Sequence, residues 1–162
     1  MIVRPEQDED RAAVRSLVEA AFGRPKEAEL VDRLREDPDL LLSLVAESEG
    51  RICGQVMFSR LASGAGLALA QLSPLAVEPA AQRSGVGGTL IMAGLQACRW
   101  RGLDGVVVLG HPDYYPRFGF SADAAAALVS PFSGLAAFMA VALKPGVALE
   151  GEVRLAAAFD GL

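Results

Sequence analysis

Between residues 82 and 88 the chain reads Gln-Arg-Ser-Gly-Val-Gly-Gly, and it then enters the apolar run Thr-Leu-Ile-Met-Ala-Gly-Leu. A glycine-rich turn that opens a helix can aim several backbone N–H groups, and the positive end of the helix dipole, at one phosphate. Two familiar versions of that chemistry are excluded by residue type. A P-loop needs a lysine ahead of the Ser/Thr that follows its last glycine, and Gly87-Gly88-Thr89 has none. A dinucleotide fingerprint needs a third glycine three residues after Gly87, where Leu90 stands, and it begins directly after a strand. Asp104 precedes the next strand candidate instead of ending it, so it is misplaced as a ribose-binding acid. The segment remains either a phosphate clamp of another kind or simply a tight turn.

Other reactive residues are few. His111 is the single histidine and follows the apolar run Val106-Val107-Val108-Leu109. Its unperturbed pKa of about 6.5 suits proton transfer, although His111-Pro112 also reads as an ordinary turn. Cys53 and Cys98 lie far apart in apolar segments and read as two buried, unpaired thiols. One histidine and scattered carboxylates give no ligand spacing, so no metal is expected.

A chain of 162 residues can fill one core, whereas two domains would each be small for independent stability, so residues 1–162 read as a single domain. The 52% hydrophobic content argues against disorder. A net charge of −5 gives no general attraction to nucleic acid or to an anionic membrane, and it favours a cationic partner. The apolar stretches fall short of the roughly 20 residues that cross a bilayer. The first residues, Met-Ile-Val-Arg-Pro-Glu, lack the pattern of a secretory signal, so a cytoplasmic location is expected.

The loop has to be positioned by its neighbours. Residues 2–4 suit a short strand. Asp8 or its neighbours can cap a helix reaching Phe22, which carries Val14, Leu17, Val18 and Ala21 at helical spacing with Gly23 as terminator, and residues 27–35 repeat the pattern before Asp37-Pro38. The period then changes to two. Residues 40–47 and 51–60 predict a hairpin joined at Ser48-Glu49-Gly50, and residues 67–77 continue it as an antiparallel meander. Pro74 cannot donate to a ladder, so pairing there must meet an edge, a bulge or a splay. The helix after the loop, residues 89–100, and the strand at 106–109 make a parallel crossover. A short helical candidate at 113–118 and a last strand at 135–143 complete an α+β (mixed α/β) sheet of about six to seven strands, antiparallel first and flanked by helices.

In that context Gln82-x-x-Gly85-x-Gly87, preceded by Leu75-Ala76-Val77-Glu78-Pro79, resembles the acetyl-CoA motif of the GNAT N-acetyltransferase superfamily. Downstream, Tyr114-Tyr115-Pro116-Arg117-Phe118-Gly119-Phe120 resembles the Tyr-x-x-x-Gly-Phe element that follows the fifth strand there. The likeness covers roughly residues 2–143, leaves 145–162 as a C-terminal extension, and is greatest to the YhbS-like group of predicted acetyltransferases.

The resemblance implies acetyl transfer from acetyl-CoA to a primary amine by direct attack on the thioester. It assigns the pyrophosphate to the backbone amides of Arg83, Ser84, Gly85, Val86, Gly87 and Gly88, flanked by Thr89, with Gln82 bracing the loop. Leu75, Ala76 and Val77 would pair with the pantetheine as an added strand, and an N–H near Leu75 would face the developing oxyanion. Tyr115 takes the position that meets the coenzyme sulfur as general acid. His111 is the base candidate, ahead of Glu47, Glu78, Gln71 and Ser73. The acceptor pocket would be built from residues 8–35, the long strand and 145–162, for a small-molecule, peptide or protein amine. A homodimer through the edge near 135–143 is a further expectation. An acyl-CoA-binding or sensing module without turnover, and a structural protein whose glycine loop is only a turn, are the competing readings.

Overall fold

The alternation of residues 51–60 becomes the centre of the sheet. In the computed structural model, which describes residues 1–160, β3 (Arg51–Ser63) turns Val56 and Phe58 to one face and Met57 to the other. It is joined to β2 (Leu40–Ser48) through Glu49 and Gly50, both at positive φ, as a tight hairpin requires. β1 (Ile2–Pro5) lies antiparallel beyond β2, and β4 (Leu69–Val77) lies antiparallel on the other side of β3. β5 (Gly105–Leu109) is parallel to β4, and β7 (Phe138–Ala142) closes the order β1-β2-β3-β4-β5-β7, antiparallel to β5.

Helices cover both faces. α1 (Arg11–Phe22) and α2 (Lys26–Arg35) bury Val14, Val18, Val31 and Leu34 against Val45, Met57 and Ala76. α3 (Val86–Trp100) buries Leu90, Ile91, Leu95 and Cys98 against Val56 and Phe58. Its approach to the sheet depends on two glycines. A Cβ on Gly94 would stand 2.1 Å from the Phe58 ring, and one on Gly54 would stand 2.8 Å from both Val86 and Leu90. On the opposite face, β1 is tied to the start of α1 by Asp10. That carboxylate, 7% exposed, accepts from Arg4 at 2.7 and 3.0 Å and from the Gln7 N–H at 2.8 Å. The Arg4 guanidinium holds the carboxyl below the usual range.

The element order and the mixed sheet are as expected, with differences in detail. The helix expected to reach Phe22 is α1, with Asp10 at its N-cap position and Gly23 at its end, and Asp8–Asp10 form a 3-10 turn before it. α3 starts three residues earlier than expected, inside the glycine loop, because Gly85 takes φ 91° and serves as its N-cap. The sheet has eight strands instead of six or seven. β6 (Leu128–Val129) and β8 (Gly151–Arg154) are two and four residues long, too short to display a period, and 135–143 narrows to β7. β8 pairs with the end of β3 and with β6, so the extension after residue 145 is part of the sheet. Its last residues, 161 and 162, lie outside the described residues. α4 (Ala122–Ala125) is capped by Ser121, whose backbone also bridges Ala140 on the outer edge of β7. Cys53 and Cys98 are buried and free. No described helix is long and apolar enough to cross a membrane.

Gly94→Ala tests the packing of α3. Alanine favours a helix interior by about 1 kcal/mol over glycine, but overpacking against an enclosed ring costs about 1–3 kcal/mol. The variant should therefore unfold at lower urea concentration than the wild type, and equal or greater stability would show that Phe58 moves aside freely.

Candidate active site

β4 changes its bonding halfway along. Up to Gln71 it pairs with β5, the last register partners being Gln71 and Val107. Beyond that point β5 continues to pair with β7, while residues 72–77 have no partner on the β5 side. Against β3, Val56 opposes Leu75 while Phe58 opposes Leu72, so β4 carries one extra residue at Ser73-Pro74. Bulge and splay thus coincide at the proline that cannot donate.

The direction of the freed backbone follows from strand parity. The Glu78 N–H donates to the Cys53 carbonyl on β3, so the N–H of Ala76 also points towards β3. Those of Leu75 and Val77 therefore point into the splay. The Val77 carbonyl does likewise and accepts Gln82 Nε2 at 3.1 Å. This bond ties the loop to the strand end and gives Gln82 its bracing role.

The loop itself is a row of unsatisfied donors. Arg83 and Gly85 adopt φ of 63° and 91°, Ser84 Oγ bonds the Ala81 carbonyl, and Thr89 N and Oγ1 both return to the Gly85 carbonyl at 3.0 and 2.9 Å. The amides from Arg83 to Gly88 find no acceptor among the described residues. A helix N-terminus leaves such groups to water or to an anion. Glycine at 85 answers the positive φ. Glycine at 87 answers a contact, since a Cβ there would lie 2.9 Å from the Tyr114 hydroxyl, 3.5 Å from Val77 and 3.8 Å from Leu75. Gly88 meets Phe118 in the same way, at 3.1 Å. The three sequence segments, 75–77, 82–89 and 114–120, therefore meet at one place.

Tyr115 stands on the β5 arm of the splay, at the start of a 3-10 turn that follows His111-Pro112. Its ring fills the space beside Gly110, where a Cβ would come within 2.3 Å, and packs edge-on to Tyr114 and Phe120. The residue is only 8% exposed. Burial first, and the neighbouring Tyr114 second, push its hydroxyl up to about 12. Tyr114 is a packing residue with Arg117 stacked 5.1 Å above its ring. His111 is exposed; its backbone carbonyl receives the N–H groups of Tyr114 and Tyr115. Glu47 is engaged with Arg4, and Glu78 with Arg51.

On the α1–α2 face the splay opens into a cavity of about 420 Å³. Gln71 and Ser73 of β4, Val107 and Leu109 of β5, and Phe138 of β7 form its floor. Leu30 of α2, Phe132, and Leu155 and Phe159 of the C-terminal segment form its walls, and Arg24, Lys26 and Glu27 stand at its mouth. Of the segments expected to build an acceptor pocket, residues 24–30 and 155–159 line this cavity, whereas α1 supplies no lining residue. Glu27, Phe132 and Phe159 belong to no motif, and only their spatial convergence reveals them. No group of three or more His, Cys, Asp or Glu suited to a metal occurs among the described residues.

This architecture has close relatives. Residues 40–122 match the acetyltransferase (GNAT) domain family. The uncharacterised N-acetyltransferase YjhQ of Escherichia coli K12 is 42% identical over 116 residues, 68% of this chain and 64% of that protein's length. YhbS from the same organism is 38% identical over 74% of this chain and 73% of its own length. A GNAT family acetyltransferase from Brucella melitensis, crystallised with acetyl-CoA, superposes with a TM-score of 0.82 at 38% identity, covering 98% of this chain and 97% of the other. The Escherichia coli YhbS structure, in complex with CoA, also gives 0.82, at 34% identity. The chain belongs to the GNAT family of acetyltransferases, an acyltransferase class.

The enclosed tyrosine has a pH signature. Its pKa is raised in the fold, so the stabilisation it provides is complete below pH 10 and is lost as pH rises through about 12. Between pH 9 and 11.5 the wild type should lose about 2 kcal/mol more than Tyr115→Phe in urea unfolding. Parallel losses in the two proteins would mean that the hydroxyl ionises as freely as in the unfolded chain.

Proposed function

We propose that the protein is an acyl-CoA-dependent N-acetyltransferase in which a primary amine attacks the thioester of acetyl-CoA directly. The observation that carries this reading is the convergence at one splay of six free loop amides, two free N–H groups on β4 and a buried tyrosine. Together they offer an extended ligand an anion site at one end and a strand edge beside it. The amides of 83–88 hold the phosphates, the edge at Leu75, Ala76 and Val77 pairs with the pantetheine, and the Leu75 N–H faces the carbonyl oxygen as negative charge develops there.

As the amine nitrogen bonds to the carbonyl carbon, the C–S bond breaks, the new amide loses a proton and the departing sulfur requires one. We assign that meeting with the sulfur to Tyr115, buried on the β5 arm of the splay. A thiol ordinarily titrates near 8.5, so complete transfer from a hydroxyl at about 12 runs uphill by about 5 kcal/mol. A hydrogen bond from Tyr115 to the sulfur is the better description of its acid role, with the proton released by the amine restoring the thiol. An alkylammonium, pKa near 10.4, must first be deprotonated. His111, exposed beyond the end of β5, serves this step only through solvent.

Acetyl-CoA should raise the melting temperature, as linkage demands of a ligand bound by the folded state alone. Thiol release should then appear with some member of an amine panel; binding without release would favour the sensing module. Tyr115→Phe should lower kcat by about ten- to a hundredfold with acetyl-CoA affinity unchanged, and an unaltered kcat removes it from the mechanism. His111→Ala should shift the acid limb of the kcat/KM profile, and an unchanged profile excludes His111 as the base.

A further inference from the structure

The cavity on the α1–α2 face has a polar atom in its floor that the protein leaves without a partner. Gln71 is 7% exposed and lines the cavity, yet its Oε1 is sealed and receives no hydrogen bond. Its register partner on β3, Ser59, lies on the same face and has an equally unpartnered Oγ. A buried acceptor without a donor is costly, and an unpartnered oxygen beside a cavity calls for a ligand or a rearrangement. A turn of the Gln71 amide that brings the oxygen to the cavity the residue lines lets an N–H of a ligand satisfy it.

The remaining walls describe the rest of that ligand. Leu30, Leu109, Phe132, Phe138 and Phe159 offer apolar surface, and about 420 Å³ is room for a small molecule rather than a protein segment. Charge at the mouth is the reverse of the acidic whole. Arg24 and Lys26 stand there against one carboxylate, Glu27, which Arg24 already holds through a contact of 2.7 Å. A polycation would meet excess positive charge at the entrance.

We propose that the acceptor is a small monoamine with an aliphatic or aromatic body, its nitrogen oriented by Gln71 where β4 and β5 part. This rests on the acetyl-transfer reading and names the class of substrate for it. Gln71 acts as a positioning residue: it holds the amine in line with the splay and takes no proton.

The test uses 2-phenylethylamine and spermidine as probes, with thiol release for turnover and calorimetry on the CoA-bound protein for binding. 2-Phenylethylamine should have a kcat/KM at least tenfold above that of spermidine. Gln71→Leu should raise its KM at least fivefold while kcat stays within about twofold and the acetyl-CoA melting shift is unchanged. Gln71→Met, of similar length without the amide, gives the same readout if the leucine variant does not fold. A preference for spermidine, or an unchanged KM in the variant, overturns the assignment. If acetyl-CoA binds but no amine releases thiol, the transfer reading fails separately. Calorimetric binding of 2-phenylethylamine that is lost in the variant then still upholds the cavity assignment, and absence of binding refutes it.

Discussion

Pro74 has no N–H for a ladder, and at its position β4 holds one residue too many against β3 and no partner on β5. A central strand normally spends its whole backbone on its neighbours; here the half beyond Gln71 is left with donors and acceptors facing a gap. Everything that gives the domain its chemistry is arranged around that gap. The glycine loop is tethered to the end of β4 through Gln82, the tyrosine turn stands on the β5 arm, and α2 and the C-terminal segment wall the opening. The price is a sheet interrupted at its middle, offset by a continuous core under α3 and a second core under α1 and α2.

On the proposed reading the donor and acceptor halves of the site are built by different means. The donor half is mainly backbone, from three segments close to one another in the fold's centre, and its requirements are backbone angles and missing Cβ atoms. The acceptor half is side chain, drawn from α2, β4, β5, β7 and two loops. A substitution at Phe132 or Phe159 alters the cavity wall without touching the loop or the strand edge. One scaffold can therefore keep its coenzyme geometry while its cavity changes shape.

This division also governs what the sequence discloses. Gln82–Gly88 and Tyr114–Phe120 were legible because glycine at a positive φ, and a tyrosine ahead of a glycine turn, have few substitutes. Pro74 was legible as a break, and both the bulge and the splay it allowed for occur together. The extra strands were not: β6 and β8 pair over only two residues each with their neighbours, and no alternation can appear at that length. The segments that wall the cavity were expected but its individual wall residues were hidden, since Leu30, Phe132 and Phe159 look like any core residues until the chain brings them together. Gly87 carried a second meaning that spacing could not reveal. Its missing Cβ makes room for the Tyr114 hydroxyl, as well as for the approach of a phosphate on the proposed reading.

Gly54 sits directly across from Val77 in the β3–β4 register, and it touches Val86, the first residue of α3. One unsubstituted Cα thus spaces the anion-binding end of the helix from the open end of the strand. On the proposed reading those two elements grip opposite portions of a single ligand whose covalent length is invariable. A methyl group at position 54 would press on Val86 and Leu90 and change the distance between those two elements. In that sense the glycine is a gauge block, and the tolerance of the whole binding track is set on the strand beneath it.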